Sequence, residues 1–178
     1  MVWLMQASFM QIISGAVPSV LLRGRQLNNI KRAAFYRLGD YWHRKLRQKH
    51  FTVAGAREYG YTPRQGEAGT KGARDFWRSY TGRKLRTMGH RRPLVYTGES
   101  RDRSKAARIV AKATRSRTHV AVRMNVPGLN RRYAGSKINM AEELRTISAA
   151  EEVELRDRLE ADIMGGFDRV RVRVSRQF

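Results

Sequence analysis

An α+β fold is predicted for this chain by three observations. Apolar residues recur at three- to four-residue spacing from Leu27 to about Lys49, two short segments flank a polar turn at Thr114 to Arg117, and an acidic segment with a capping pattern runs from Ser148 to Met164. The first and third predict helices, and the second predicts a small antiparallel sheet. The expected organisation is an extended, uncharged N-terminal arm over residues 1–22, then a single α+β domain over 23–178. That domain would hold an N-terminal amphipathic helix, a long basic loop at 50–105, the sheet and a C-terminal acidic helix. A length of 178 residues suits one domain, and 41% hydrophobic content suffices for a modest core.

Residues 1–22 carry no charged side chain. Gln6, Ser8, Gln11, Ser14, Gly15 and Pro18 interrupt the apolar run, and no Lys or Arg precedes it as a signal peptide's n-region would require. The segment therefore reads as an arm that docks Trp3, Leu4, Phe9, Met10, Ile12 and Ile13 on a neighbouring subunit, with no membrane role. In the first helix, Leu27, Ile30, Ala34, Leu38, Tyr41 or Trp42, and Leu46 form the apolar stripe. Its other face bears Lys31, Arg32, Arg37, Arg44, Lys45 and Arg47, either as a solvated face or as one that meets a polyanion.

Residues 50–92 mix seven glycines with Phe51, Tyr59, Tyr61, Phe76, Trp77 and Tyr80 and show no sustained period, so they read as a loop. Such a loop is expected to order on assembly and to be protease-sensitive in a free subunit. Its aromatics either pin it to protein or stack bases. Ala106 to Ala113 and Thr118 to Met124 then read as a β-hairpin, with Val120 and Val122 on one face. A Pro127-Gly128 turn and a polar loop with Tyr133 and Ala134 follow.

Ser148 stands three residues before Glu151, a capping-box spacing, with acidic residues where a helix N-terminus favours them. Val153, Leu155 or Arg156, Leu159, Ile163 and Met164 supply the apolar stripe, and Gly165-Gly166 reads as the stop. Val170, Val172 and Val174 alternate with Arg169, Arg171 and Arg173, which predicts a closing strand.

The charge narrows the function. With 37 Lys and Arg against 15 Asp and Glu, the net charge is +22, which suits a protein that lives against polyanions or acidic protein surfaces. Residues 1–136 carry 29 basic and 6 acidic side chains, whereas 137–178 carry 8 and 9. A basic body and an acidic helix could pair between identical subunits. Phosphate contacts are expected from Arg83, Lys84, Arg86, Arg91 and Arg92, each sequence-independent. Subunit contacts are expected from Trp3, Leu4, Phe9, Ile12, Glu151, Glu152 and Asp157.

Catalytic patterns are missing. There is no cysteine, and His43, His50, His90 and His119 are scattered without metal-ligand spacing. The string GEAGTKGARD lacks the GxxxxGK[ST] order of a phosphate loop, and no GxSxG elbow occurs. Glu151, Glu152, Glu154, Asp157, Glu160 and Asp162 read as a helix surface. The sequence therefore predicts no enzyme, no metal and no cofactor.

One resemblance arises from the middle of the chain, where His50-Phe51 follows a helix and a basic loop leads to Pro93-Leu94-Val95-Tyr96-Thr97-Gly98 and a hairpin. Over about residues 25–168 the chain resembles the tail-completion or head–tail joining proteins of tailed bacteriophages, also labelled virion morphogenesis proteins. In that family an N-terminal helix precedes a loop ending in Leu-x-x-Thr-Gly, matched by Leu94, Thr97 and Gly98. A hairpin, a loop with a Tyr-Ala pair (Tyr133-Ala134) and an acidic helix (Glu151 to Met164) complete the order. The chain departs from the family's hydrophobic and small polar continuation with Glu99-Ser100-Arg101-Asp102.

The resemblance implies a structural virion protein without an active site. Its subunits would form a homo-oligomeric ring in the neck, between portal or adaptor and tail, assembled in the host cytoplasm, with genomic DNA passing through. A ribosomal or other RNA-binding structural protein is the alternative from a different class, motivated by the same charge, although no RRM-type aromatic string or suitable KH-type loop is evident.

Overall fold

The computed structural model describes residues 24–67, 74–130 and 137–175. The arm, with Trp3, Leu4, Phe9 and Ile12, lies outside the described residues, as does the Tyr133-Ala134 pair. The fold is mixed α+β and mostly helical, with a small two-stranded sheet. Where a single domain is expected, the described chain divides into two compact units: residues 24–44, 107–123 and 149–175, and residues 45–106 and 124–148.

The first unit is built from long, regular elements. Helix α1 (Gly24–Tyr41) buries Ile30, Ala34 and Leu38 of the predicted stripe together with Phe35, leaves Leu27 half-buried, and ends at Tyr41 where the spacing predicts a helix to about Lys49. The hairpin pairs β1 (Ala107–Ala113) with β2 (Thr118–Met124). Its turn is closed by Thr114, whose N–H donates to the Arg117 carbonyl at 2.8 Å and whose hydroxyl accepts the Arg117 N–H at 3.0 Å. Val120, Ala121 and Val122 are buried. Gly39 lets α1 lie directly on the sheet, because a Cβ there would fall 2.6 Å from a methyl of Val120.

Helix α6 (Ala149–Ser175) starts immediately after Ser148, as the capping spacing predicts, and buries Leu155, Leu159 and Ile163. Val153 and Met164, expected in that stripe, are exposed. Two readings of the C-terminal segment are corrected. Gly165-Gly166 does not stop the helix, and the valine-arginine segment is not a strand: α6 runs through both. Gly166 serves packing instead, since a Cβ there would come within 2.5 Å of the Ile30 side chain. Arg37 and Asp162 (2.8 Å) and the Arg158 guanidinium over the Tyr41 ring (3.7 Å) flank the same α1–α6 contact.

The second unit replaces most of the expected loop at 50–105. The chain leaves α1 through a π turn (Trp42–Leu46) and a 3-10 turn (Arg47–Phe51) into α2 (Val53–Glu58). A 3-10 turn at Phe76–Arg78 precedes α3 (Tyr80–Met88), and α4 (Glu99–Arg103) precedes the hairpin. After the hairpin come a 3-10 turn (Pro127–Asn130) and α5 (Met140–Glu143). These helices are too short to show a hydrophobic period, which is why the segment reads as a loop, but α2 and α3 carry regular caps. Thr52 accepts the Gly55 N–H at 2.9 Å, Ser79 accepts the Gly82 N–H at 3.1 Å, and Gly89 ends α3 at φ 70°.

Candidate nucleic-acid interface

Within the second unit an open cavity of about 770 Å3 is lined by Arg47, Gln48, Lys49, Phe51, Thr52, Val53, Arg92, Arg101 and Lys105. Five of the nine are cationic and none is acidic. They come from three segments. Arg47 and Lys49 lie on the 3-10 turn after α1, Arg92 follows α3, and Arg101 and Lys105 lie on and just after α4.

Each segment is held locally. Arg47 is buried and donates to the Ser104 hydroxyl, while its guanidinium lies 5.9 Å from the centre of the Phe51 ring. Ser104 in turn donates to the Arg101 carbonyl at 2.6 Å. Burial lowers the Arg47 pKa from its usual value, so the cavity floor carries a cation in a poorly solvated place. Lys84 donates its ammonium to the Arg92 carbonyl, and the Arg92 N–H donates to Nδ1 of His90 at 3.3 Å, which fixes the backbone from which Arg92 projects.

Asp102 sits 2.8 Å from Lys105 and 3.6 Å from Arg101. The hydrogen bond from Lys105, with added attraction from Lys105 and Arg101, holds its carboxyl below the usual carboxylate range. One carboxylate thus answers two of the cations.

Buried polar contacts support the unit around this cavity. His50 is fully buried, stacks face to face on Tyr59 (centroids 4.0 Å apart, 2° between planes) and hydrogen-bonds the Tyr61 hydroxyl through Nδ1. Burial first, with Arg47 and Lys49 nearby, pushes its pKa down to about 4, against an opposing hydrogen bond with the Glu143 backbone. Arg64 grips Glu143 with both terminal guanidinium nitrogens, one of them at 2.8 Å, and both side chains are largely buried.

Of the five expected phosphate partners, Arg92 alone lines the cavity. Arg83 and Arg86 are exposed on α3, and Arg91 lies half-buried with its guanidinium 4.8 Å from the Phe76 ring centre. Lys84 requires a correction: it is buried, tethered to Arg92 and 5.7 Å from the centre of the Tyr80 ring, with burial lowering its pKa to about 8. It is a structural lysine.

Glu151 is likewise corrected as a subunit contact, because it is 1% exposed within its own chain; Glu152 and Asp157 are exposed. Sequence reading missed Lys49, Arg101 and Lys105, and placed Arg47 only on a helix face. The four-residue step from Arg101 to Lys105 was the one available signal, since it puts both on one side of a helical turn.

Among the described residues no group of three or more His, Asp or Glu could hold a metal ion, and no helix is long and apolar enough to cross a membrane. No family model, curated protein or solved structure matches the chain.

Proposed function

We propose that the chain is a structural protein of a tailed-phage virion, a neck component that joins head to tail as a homo-oligomeric ring. The observation that carries this reading is the order of elements around the Leu94-x-x-Thr97-Gly98 segment. An amphipathic helix precedes that segment, and an antiparallel hairpin and a long helix with an acidic N-terminal half follow it, the order the resemblance implies.

The segment itself is structurally specialised. Leu94 is buried at φ 51°, a backbone state that costs a non-glycine residue on the order of 1 kcal/mol, and Gly98 turns the chain into α4 at φ 97°. The exposed carboxylates of α6, Glu152, Asp157 and Glu160, offer a basic neighbouring subunit a complementary face.

The test is the mass of purified, nuclease-treated protein in solution, by native mass spectrometry or light scattering at moderate and high salt. A closed ring supports the neck reading, since heterologous contacts that close give rings of fixed size. The cavity's charge favours one second reading, an RNA-binding structural protein. That reading requires a monomer whose mass shifts only when RNA is added.

A further inference from the structure

We propose that the cavity lined by Lys49, Arg92, Arg101 and Lys105, with Arg47 as a buried structural cation beside them, is a seat for the phosphodiester backbone of double-stranded DNA. The assignment names a ligand for one unit of the protein and stands whether or not the subunits close into a ring.

Three features point to phosphate. First, the lining is one-signed: five cations and no carboxylate converge from three segments, and the neighbouring Asp102 answers two of them. Low-dielectric walls with charges of one sign concentrate counter-ions of the other. Second, the backbone that carries Arg92 and Arg101 is held in place. Ser104 links Arg47 to the Arg101 carbonyl, and Lys84 holds the Arg92 carbonyl, so less ordering cost falls on binding. Third, about 770 Å3 lies in the range of sites that enclose a sizeable ligand, far more than one phosphate group fills. A run of backbone fits that volume and supplies several anions at once.

The same lining argues for a duplex over a single strand. Single-strand sites offer aromatic faces on which unstacked bases lie. Here the sole aromatic is Phe51, which is 3% exposed and has the Arg47 guanidinium against its ring. The exposed aromatics of this unit, Trp77, Tyr80 and Tyr96, are not part of the lining. One amide, Gln48, stands against five cations, so the lining is suited to hold phosphates.

The experiment is fluorescence anisotropy of the full chain with a short labelled duplex of mixed sequence, across a salt series. The variants are Lys49→Gln with Lys105→Gln in the cavity and Arg83→Gln with Arg86→Gln on α3. All four side chains are exposed, and circular dichroism checks that each double variant is folded. The cavity pair should lower the slope of log affinity against log salt by about two units, roughly 0.9 per lost phosphate contact, and the α3 pair by less than half of that.

An unchanged slope in the cavity pair overturns the proposal, as does an α3 pair that takes the larger loss. Tighter binding of single-stranded RNA than of the duplex at every salt concentration overturns the duplex assignment. Inorganic phosphate that displaces the duplex as effectively as an equal phosphate concentration of unlabelled duplex would mark a small-anion site and also overturn it.

Discussion

The two units solve the same packing problem with different materials. In the unit of α1, the hairpin and α6, long elements bury aliphatic and aromatic side chains, and Glu151 is the one charged group among its described buried residues. The unit of α2 to α5 buries Arg47, His50, Lys84 and Glu143 as well as Ser79, Thr81 and Ser104. Short helices leave many backbone groups at their ends, and side-chain hydrogen bonds must satisfy them. An apolar core tolerates loss of volume in a graded way, whereas a buried polar set fails when one partner goes.

The largest effect should come from breaking a buried pair in the second unit. Arg64→Ala leaves Glu143 buried without its guanidinium and should cost about 3–5 kcal/mol in urea unfolding. The double variant Arg64→Met with Glu143→Leu should recover most of that. If the single variant costs under about 1 kcal/mol, the units do not differ in the way argued.

Next in size is an apolar truncation in the first unit. Leu159→Ala should cost about 3 kcal/mol, and its effect should stay the same between pH 7.5 and 4.5, because no titrating group is removed.

The second unit should instead respond to acid. His50 has a folded pKa of about 4 against 6.5 unfolded, so the unfolded chain takes up the proton first as pH falls. The stabilisation is present above pH 6.5 and is lost between 6.5 and 4, amounting to roughly 2–3 kcal/mol by pH 4.5. His50→Gln should remove that component, so the wild-type urea midpoint should fall further than the variant's between pH 7.5 and 4.5. Parallel falls in both would mean that carboxylates alone carry the acid sensitivity.

The smallest effect separates two adjacent glycines in α6. Gly165→Ala meets nothing within 4 Å and should stabilise by up to about 1 kcal/mol through helix propensity. Gly166→Ala should destabilise, because its methyl would fall 2.5 Å from Ile30. Destabilisation by both would return Gly165 to the role of a helix stop.

What the sequence revealed follows the same division. Periodicity located α1, the polar turn at Thr114 to Arg117 located the hairpin, and the Ser148–Glu151 capping spacing located the start of α6. Gly165-Gly166 passed for a stop, since a glycine that admits Ile30 and one that ends a helix are the same letter. The second unit was opaque because four- to nine-residue helices show no period and its determinants are distant pairs such as Arg64 with Glu143. Thr52 and Ser79, each three residues before a glycine, were the local signs of helices there. The cavity was hidden because its cations stand as far apart in sequence as Arg47 and Lys105, and the density of Arg and Lys at 83–92 drew attention to α3.

A two-stranded ribbon leaves each strand one side without a strand neighbour among the described residues. Arg108 and Lys112 stand exposed on β1, and Arg123 stands exposed on β2. Like charges on both margins repel a second copy approaching edge to edge, as lysine-rich edges do in other sheets. That protection is electrostatic and fades as ions screen it. The concentrated protein should therefore keep best in dilute buffer and turn cloudy first through these margins when salt is raised.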